Sequence, residues 1–116
     1  MAETRLQLLR DYSGVVGADG TARITAIGPV IQSERWVVTS VRVESNSALI
    51  PEAYMYRSGL GTPVAATYNG SNDTNTTNTE LRTGEFISIY WIGATEGAQV
   101  RVVVEGELYR RGRIAY

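Results

Sequence analysis

The sequence predicts a single all-β domain, an antiparallel β-sandwich of jelly-roll or immunoglobulin-like type with seven or eight strands. Three observations support this prediction. Short segments rich in β-branched and aromatic residues recur along the chain, turn-forming residues separate them, and helical periodicity is nearly absent. A chain of 116 residues is also long enough to bury one such core without disulfides or metal.

Seven segments have the alternating or continuous apolar pattern of β-strands. We predict strands at residues 12–16, 21–27, 33–45, 53–57, 63–68, 85–93 and 98–110. In the third strand, Val37, Val41 and Val43 fall on alternate positions and share one face, opposite Ser40 and Arg42. The sixth strand is apolar on both faces, which is typical of a strand in the centre of its sheet.

Both ends of the chain are predicted to lie outside the sandwich. Residues 1–11 form an N-terminal arm, residues 12–109 the sandwich domain, and residues 110–116 a C-terminal tail. The apolar stripe of the arm is too short to make a stable helix alone in water. We therefore expect both segments to dock on other protein chains. The residues predicted to bind a partner are Leu6, Leu8, Leu9, Arg10, Arg110, Arg111, Arg113, Ile114 and Tyr116.

The segment Tyr68–Glu80, YNGSNDTNTTNTE, has the most biased composition of the chain. It has no large apolar side chain after its tyrosine, so we predict an exposed loop. Such a loop is either plainly solvated or a contact site, in which case Asn69, Asn72, Asp73 and Asn75 are the contact residues. A calcium site is disfavoured because the glycine and the ligand spacing of a calcium-binding loop are missing.

The composition excludes several classes of function. Cysteine, histidine and lysine are all absent, which removes thiol chemistry, zinc–thiolate sites and the usual general bases. The acidic residues fall at turns and on outward strand positions, where solvated acids normally lie. A net charge of −1 predicts no basic surface for binding nucleic acid, and no apolar run is long enough to span a membrane. We expect no catalytic activity, no metal and no other cofactor.

Four stretches carry a resemblance to a known group of proteins. They are GVVGADGTARITAIGP, SERWVVTSVRVESNS, AYMYRSG and ELRTGEFISIYWIGATEGAQVRVVVEGE, and together they cover roughly residues 14–107. The shared features are a G-x-DG hairpin, an ERW strand opening, a YR-G strand and an L-x-x-GE turn before an aromatic-rich strand. This pattern resembles small β-sandwich virion proteins of tailed phages that infect actinobacteria. The all-arginine basic complement agrees with a GC-rich phage genome.

The resemblance implies a structural role in a virion and no active-site residues. We expect a capsid decoration or minor capsid protein, made in the cytoplasm of the host bacterium and assembled into the virion. Its partners would be the major capsid protein or other virion subunits, and we expect a homo-oligomer, with a trimer favoured. Binding only to the assembled shell would stabilise that shell.

A different class of function is a minor tail or fibre domain that binds host-surface glycans. It would use the loop Tyr68–Glu80 together with exposed aromatic side chains. Aromatic residues at the ends of sheet strands are more often part of the core, so Trp36 and Trp91 are predicted to be core residues rather than a platform for sugars.

Overall fold

The computed structural model describes residues 3–57 and 65–111, and for residues 65–68 the backbone alone. These ranges contain β-strands and no helix, which confirms the predicted all-β class. The strands are β1 (Glu3–Val15), β2 (Ala22–Ile27), β3 (Glu34–Ser45), β4 (Glu52–Arg57), β5 (Ala65–Asn69), β6 (Asn72–Arg82), β7 (Ile87–Ile92) and β8 (Gln99–Arg111). Within these two ranges there is also no helix long and apolar enough to cross a membrane.

The strands form two four-stranded antiparallel sheets that pack as a sandwich. Sheet A has the order β1-β8-β3-β6 and sheet B the order β2-β7-β4-β5. The pairing is nested, because β1 pairs with β8, β2 with β7, β3 with β6 and β4 with β5. This nesting is the strand order of a jelly roll. The structure therefore selects the jelly roll over the immunoglobulin-like alternative.

The core fills the space between the two sheets. Trp36 of β3 is almost fully buried and Trp91 of β7 is fully buried, so the prediction that both tryptophans belong to the core is confirmed. The other strand residues of the hydrophobic core are aliphatic or methionine and come from both sheets: Leu8, Ala22, Ile24, Ile27, Val38, Val41, Val43, Ala53, Met55, Leu81, Ile87, Ile89, Val100, Val102, Val104 and Leu108. The alternation of these residues along their strands is what a sandwich with two solvated outer faces requires.

Strand β3 departs from simple alternation at Thr39. The pairing of β3 with β8 and with β6 shifts between Val38 and Ser40, which marks a β-bulge. The extra residue reverses the face on which the following side chains lie. Val41 and Val43 are buried as predicted, whereas Val37 lies on the outer face and Val38 takes its place in the core. The prediction that Val37 shares their face is wrong because a strict period of two does not allow for the bulge.

The predicted N-terminal arm is part of the sandwich. Residues 3–11 form most of strand β1, which pairs with β8 without interruption from Glu3↔Arg111 to Val15↔Gln99. Strand β8 likewise extends to Arg111, so residues 110 and 111 belong to the sheet and not to a tail. Each of these segments supplies the backbone partners of the other, which is why neither needs a foreign chain to become ordered. The remainder of the predicted tail, residues 112–116, lies outside the described residues.

The predicted loop Tyr68–Glu80 is mostly strand β6, an edge strand of sheet A. Its backbone pairs with β3 from Asn72 to Arg82. Its side chains alternate between exposed and half-buried, and only Leu81 near its end is fully buried. An edge strand at the margin of a sandwich needs a partner on one side only, and its threonines favour an extended backbone. The strand therefore forms with a single buried apolar residue, Leu81.

Because the strands are antiparallel, the connecting segments gather at two opposite ends of the sandwich. The Ile50 end comprises residues 16–21, 46–51, 70–71 and 93–98, and hydrogen bonds such as Val16 N to Ala98 O and Ser45 N to Ser71 O join these segments. The Val30 end comprises residues 28–33 and 83–86, with Glu3 and Arg111 at the adjoining strand ends. There Gly84 N donates to Pro29 O and Arg111 N donates to Ser33 O.

Candidate interaction surfaces

The three leucines predicted to bind a partner lie on both faces of β1. Leu8 points between the sheets and is fully buried, so it packs in the core of its own domain and cannot contact a partner. Leu6 also points inward but remains 42% exposed. Leu9 points outward and is 54% exposed. Only Leu6 and Leu9 of this group are available to another chain.

Arg10 is half-buried on the inner side of β1. Its guanidinium carbon lies 5.5 Å from the centre of the Trp36 ring, which is the geometry of a cation–π contact. Its Nη1 atom also donates a hydrogen bond to the carbonyl oxygen of Leu9. An inward-pointing charge on an edge strand also discourages unwanted pairing with other strands. These contacts give Arg10 a role within the fold.

The predicted arginine cluster of the tail divides into described and undescribed residues. Arg110 binds the carboxylate of Glu34, with its Nη2 atom 2.7 Å and its Nε atom 3.1 Å from Oε2 of Glu34. The side chain of Glu34 is only 4% exposed, so this ion pair neutralises a buried charge. Arg111 is exposed. Arg113, Ile114 and Tyr116 lie outside the described residues.

The four polar residues predicted as loop contacts lie around the short connection from β5 to β6. The backbone N–H of Ser71 donates to the side-chain oxygen of Asn69, and one carboxylate oxygen of Asp73 accepts the backbone N–H of Asn69. Asn72 is exposed and Asn75 is half-buried on β6. Asn69 and Asp73 thus satisfy backbone donors at a corner where the chain crosses between the sheets. Asn69 and Asn72 are the exposed members of this group, and Asn72 has the side chain that is not used at this corner in the contacts above.

Alternating arginine and glutamate side chains cover the outer face of sheet A. Arg35 contacts Glu3 and Glu80 at 3.0 Å each, and its guanidinium stacks over the Tyr109 ring with its carbon 4.1 Å from the ring centre. Arg101 binds both oxygens of Asp11 and also contacts Glu44 at 3.4 Å. Each charge in this network is satisfied internally, so the face is a solvated surface rather than an acid–base site.

The pKa shifts of this network follow from its hydrogen bonds. The hydrogen bond from Arg101 lowers the pKa of Asp11, and that from Arg35 lowers the pKa of Glu3. The same contacts raise the pKa of each arginine. At the Ile50 end, hydrogen bonds from Thr21 lower the pKa of Asp19. All of these shifts favour the charged form, whereas a catalytic acid needs its pKa raised toward neutrality.

A shallow groove of about 790 Å³ crosses sheet A beside the Ile50 end. Its polar lining comes from all four strands or the segments next to them, and consists mainly of hydroxyl and amide side chains: Ser13, Ser45, Asn46, Ser71, Asn72 and Gln99. Both tryptophans are buried elsewhere, so the groove offers hydrogen bonds without an indole ring for stacking. Across residues 3–57 and 65–111, no group of three or more acidic side chains is close enough to hold a metal ion.

Among the described residues outside the strands, the large exposed apolar side chains occur in two pairs, one at each end of the sandwich. Val30 and Ile31 are 86% and 51% exposed at the Val30 end. Leu49 and Ile50 are 63% and 72% exposed at the Ile50 end. None of these four residues was predicted from the sequence to be an exposed contact residue. The available signal was a pair of adjacent large apolar residues beside a proline in a turn segment, Pro29-Val30-Ile31 and Leu49-Ile50-Pro51.

No protein-family model and no curated protein matches this chain. Among solved structures, it is similar to a chain from Bacillus endospore appendages, described as a family of disulfide-linked pili. That match has 14% identity, covers 97% of this chain and 93% of the other, and has a TM-score of 0.52. At this identity the likeness concerns the fold.

Two further solved structures match at lower TM-scores. A chain of infectious bursal disease virus, Gx strain, has 15% identity and a TM-score of 0.36; the match covers 99% of this chain and 39% of the viral one. A CBM36-1 domain of a multidomain xylanase, from the hindgut metagenome of Trinervitermes trinervoides, has 13% identity and a TM-score of 0.30. That match covers 97% of this chain and 100% of the domain.

Proposed function

We propose that this protein is a structural subunit of a bacteriophage virion, and more specifically a decoration or minor capsid protein. One observation carries the proposal: the large exposed apolar side chains of the described residues lie at the two ends and on an edge strand of a rigid sandwich. Exposed apolar groups of this size favour contact with other protein surfaces. The partners would be the major capsid protein or other virion subunits, and we propose a homo-oligomer, with a trimer favoured.

The mechanism that follows is stabilisation by bridging. A jelly roll of two four-stranded sheets is a stiff body. When it contacts two neighbouring capsid subunits at once, its binding free energy is available only to the assembled shell. Assembly is then favoured by mass action, because the ligand binds one state and not the other. This mechanism requires no catalytic group, and we propose none.

Two further features bear on this proposal. The fold supports many unrelated functions, so the jelly roll is consistent with a virion subunit without singling one out. Disulfide linkage, which is described for the pili of the Bacillus appendages, is not available to this chain because it has no cysteine. Assembly through this chain therefore depends on contacts other than disulfides.

The decisive measurement is the copy number of this protein in purified virus particles, by quantitative mass spectrometry against the major capsid protein. A decoration protein is expected in hundreds of copies per particle, and its removal should lower the temperature at which the shell opens. A handful of copies, with shell stability unchanged, would contradict the decoration role and indicate the tail.

The polar groove on sheet A favours one second candidate, a tail or fibre domain that binds host-surface glycans. Hydroxyl and amide side chains are suitable partners for sugar hydroxyl groups. The test is a glycan array with the purified protein and with Asn72→Ala, which removes an exposed amide from the groove. Thr76→Ala on the same strand, away from the groove, is the control. Binding that Asn72→Ala abolishes and Thr76→Ala retains would support this candidate.

A further inference from the structure

The two ends of the sandwich lie at opposite poles of an elongated molecule. The overall dimensions are 55 × 24 × 23 Å. A strand as long as β1 or β8 spans roughly 43 Å at about 3.3 Å per residue, which only the long dimension accommodates. The strands therefore run along the long axis. The Ile50 end and the Val30 end face away from each other.

Both apolar pairs are held on fixed backbones. At the Ile50 end, Pro51 is buried and the N–H of Leu49 donates to the Thr95 hydroxyl. At the Val30 end, Pro29 is buried and the Thr83 hydroxyl donates to the carbonyl oxygen of Ile31. A contact made through such segments loses little conformational entropy on binding, which favours association.

The charges of the two ends are complementary. The segments of the Ile50 end contain Asp19 and Glu96, both exposed, and no arginine. At the Val30 end, Arg111 is exposed, while the acids there are paired, Glu85 with Arg57 and Glu3 with Arg35. Arg82, at the adjoining end of β6, is exposed and contacts Glu80 at 3.6 Å. Two Ile50 ends brought together would place like charges opposite each other. An Ile50 end against a Val30 end pairs opposite charges and covers both apolar pairs.

We propose that copies of this protein associate head to tail, with the Ile50 end of one copy on the Val30 end of the next. Such a heterologous contact closes into a ring or continues as a filament, depending on the rotation between copies. An end face of 24 × 23 Å limits the total buried surface to on the order of 1,000 Å², near the lower limit for a specific interface. Association is therefore weak in dilute solution and increases with protein concentration.

The test is sedimentation velocity on the purified protein over a concentration series up to about 1 mM. The unmodified protein is expected to form species that grow with concentration or stop at a closed ring. Val30→Glu and Ile50→Glu each block one end, so each variant alone is expected to remain a monomer. An equimolar mixture is expected to form dimers and nothing larger, because each variant retains the end that the other lacks.

The matched control is Leu9→Glu, which changes a similarly exposed leucine on the outer face of sheet A. Leu9 lies at neither end, so this variant should leave head-to-tail self-association unchanged, whatever its effect on binding to a capsid subunit. Dimers of Val30→Glu or of Ile50→Glu alone would overturn the proposal, since like ends would then be pairing. If Leu9→Glu lost association while Val30→Glu and Ile50→Glu still associated like the unmodified protein, the contacts would be side by side. That result would also overturn the proposal. A protein that stays monomeric at every concentration would also overturn the head-to-tail proposal. It would leave the capsid role open, because that role is tested separately by the copy number in virus particles.

Discussion

Glu34 and Arg110 form an ion pair whose two members differ in their access to water. The Glu34 side chain is 4% exposed and that of Arg110 is 50% exposed. Replacing the arginine leaves a buried carboxylate without its partner, which costs more than leaving an exposed guanidinium free. Arg110 is therefore a stabilising residue of the sandwich, although the sequence placed it among the partner-binding residues.

Arg110→Ala is accordingly expected to lower the free energy of unfolding by about 2 kcal/mol. The adjacent Arg111→Ala, which removes an exposed arginine, is expected to change it by less than about 0.5 kcal/mol. Urea denaturation of the two variants measures both values. Equal effects at the two positions would show that the Glu34 contact does not matter for stability.

Gly106 of β8 is required by the close approach of β3. A Cβ atom at this position would overlap the carbonyl oxygen of Val37 and lie 3.0 Å from the backbone nitrogen of Thr39, where β3 bulges. Backbone atoms cannot move aside cheaply, so Gly106→Ala is expected to cost about 2–3 kcal/mol of stability. Gly17→Ala is the matched control, since the nearest atom to its Cβ would be 3.5 Å away. Thermal unfolding followed by circular dichroism compares the two.

At the scale of secondary-structure elements, strand β1 places two adjacent leucines in opposite environments. Leu8 is fully buried and Leu9 is 54% exposed. Leu8→Ala is expected to destabilise the protein by about 3 kcal/mol, because it leaves a cavity in the core. Leu9→Ala is expected to cost less than about 0.5 kcal/mol. Similar small losses at both positions in denaturant unfolding would mean that this segment is not part of the sandwich in solution.

Most strands could be predicted from the sequence because one face of each is apolar. That signal is present in β2, β3, β4, β7 and β8, whose predicted and observed ranges agree within a few residues. It is absent in β6, where only Leu81 is fully buried and the backbone ladder to β3 holds the strand. In β1 the leucines at 6, 8 and 9 do not alternate, since Leu9 faces outward. These leucines pair with residues of β8 that are 96 to 102 positions further along the chain. That pairing forms the strand, and it leaves no local pattern in the sequence.

The exposed apolar pairs were harder to predict than the core. A large apolar residue in a sequence is ordinarily assigned to the interior, and nothing local distinguishes Ile50 from a core isoleucine such as Ile87. Only the assembled sandwich shows that residues 28–33 and 46–51 lie at opposite poles. The candidate interaction surfaces therefore depend on topology, whereas the absence of cysteine, histidine and lysine could be read from composition alone.

At the scale of the whole molecule, the pattern of shifted pKa values determines how stability depends on pH. The pKa values of Glu3, Asp11 and Asp19 lie below their ordinary values of 4.5, 3.8 and 3.8, because each carboxylate accepts hydrogen bonds in the folded state. A group whose pKa is lower when folded contributes stability above its unfolded pKa and loses it as pH falls through the folded value. Burial raises the pKa of Tyr12 above its ordinary value of 10.0. The contribution of this tyrosine to the free energy of unfolding is therefore present below pH 10 and is lost as pH rises through the folded value.

The melting temperature should therefore form a plateau across neutral pH and fall on both sides, below about pH 4.5 and above about pH 10. The plateau follows because the chain has no histidine to titrate in between. Differential scanning calorimetry from pH 2 to 11 measures the profile. Asp11→Asn should make the acid side shallower, because one of the carboxylates with a lowered pKa is gone. A melting temperature that changed steeply between pH 6 and 8 would contradict this account, since none of the shifted groups titrates there.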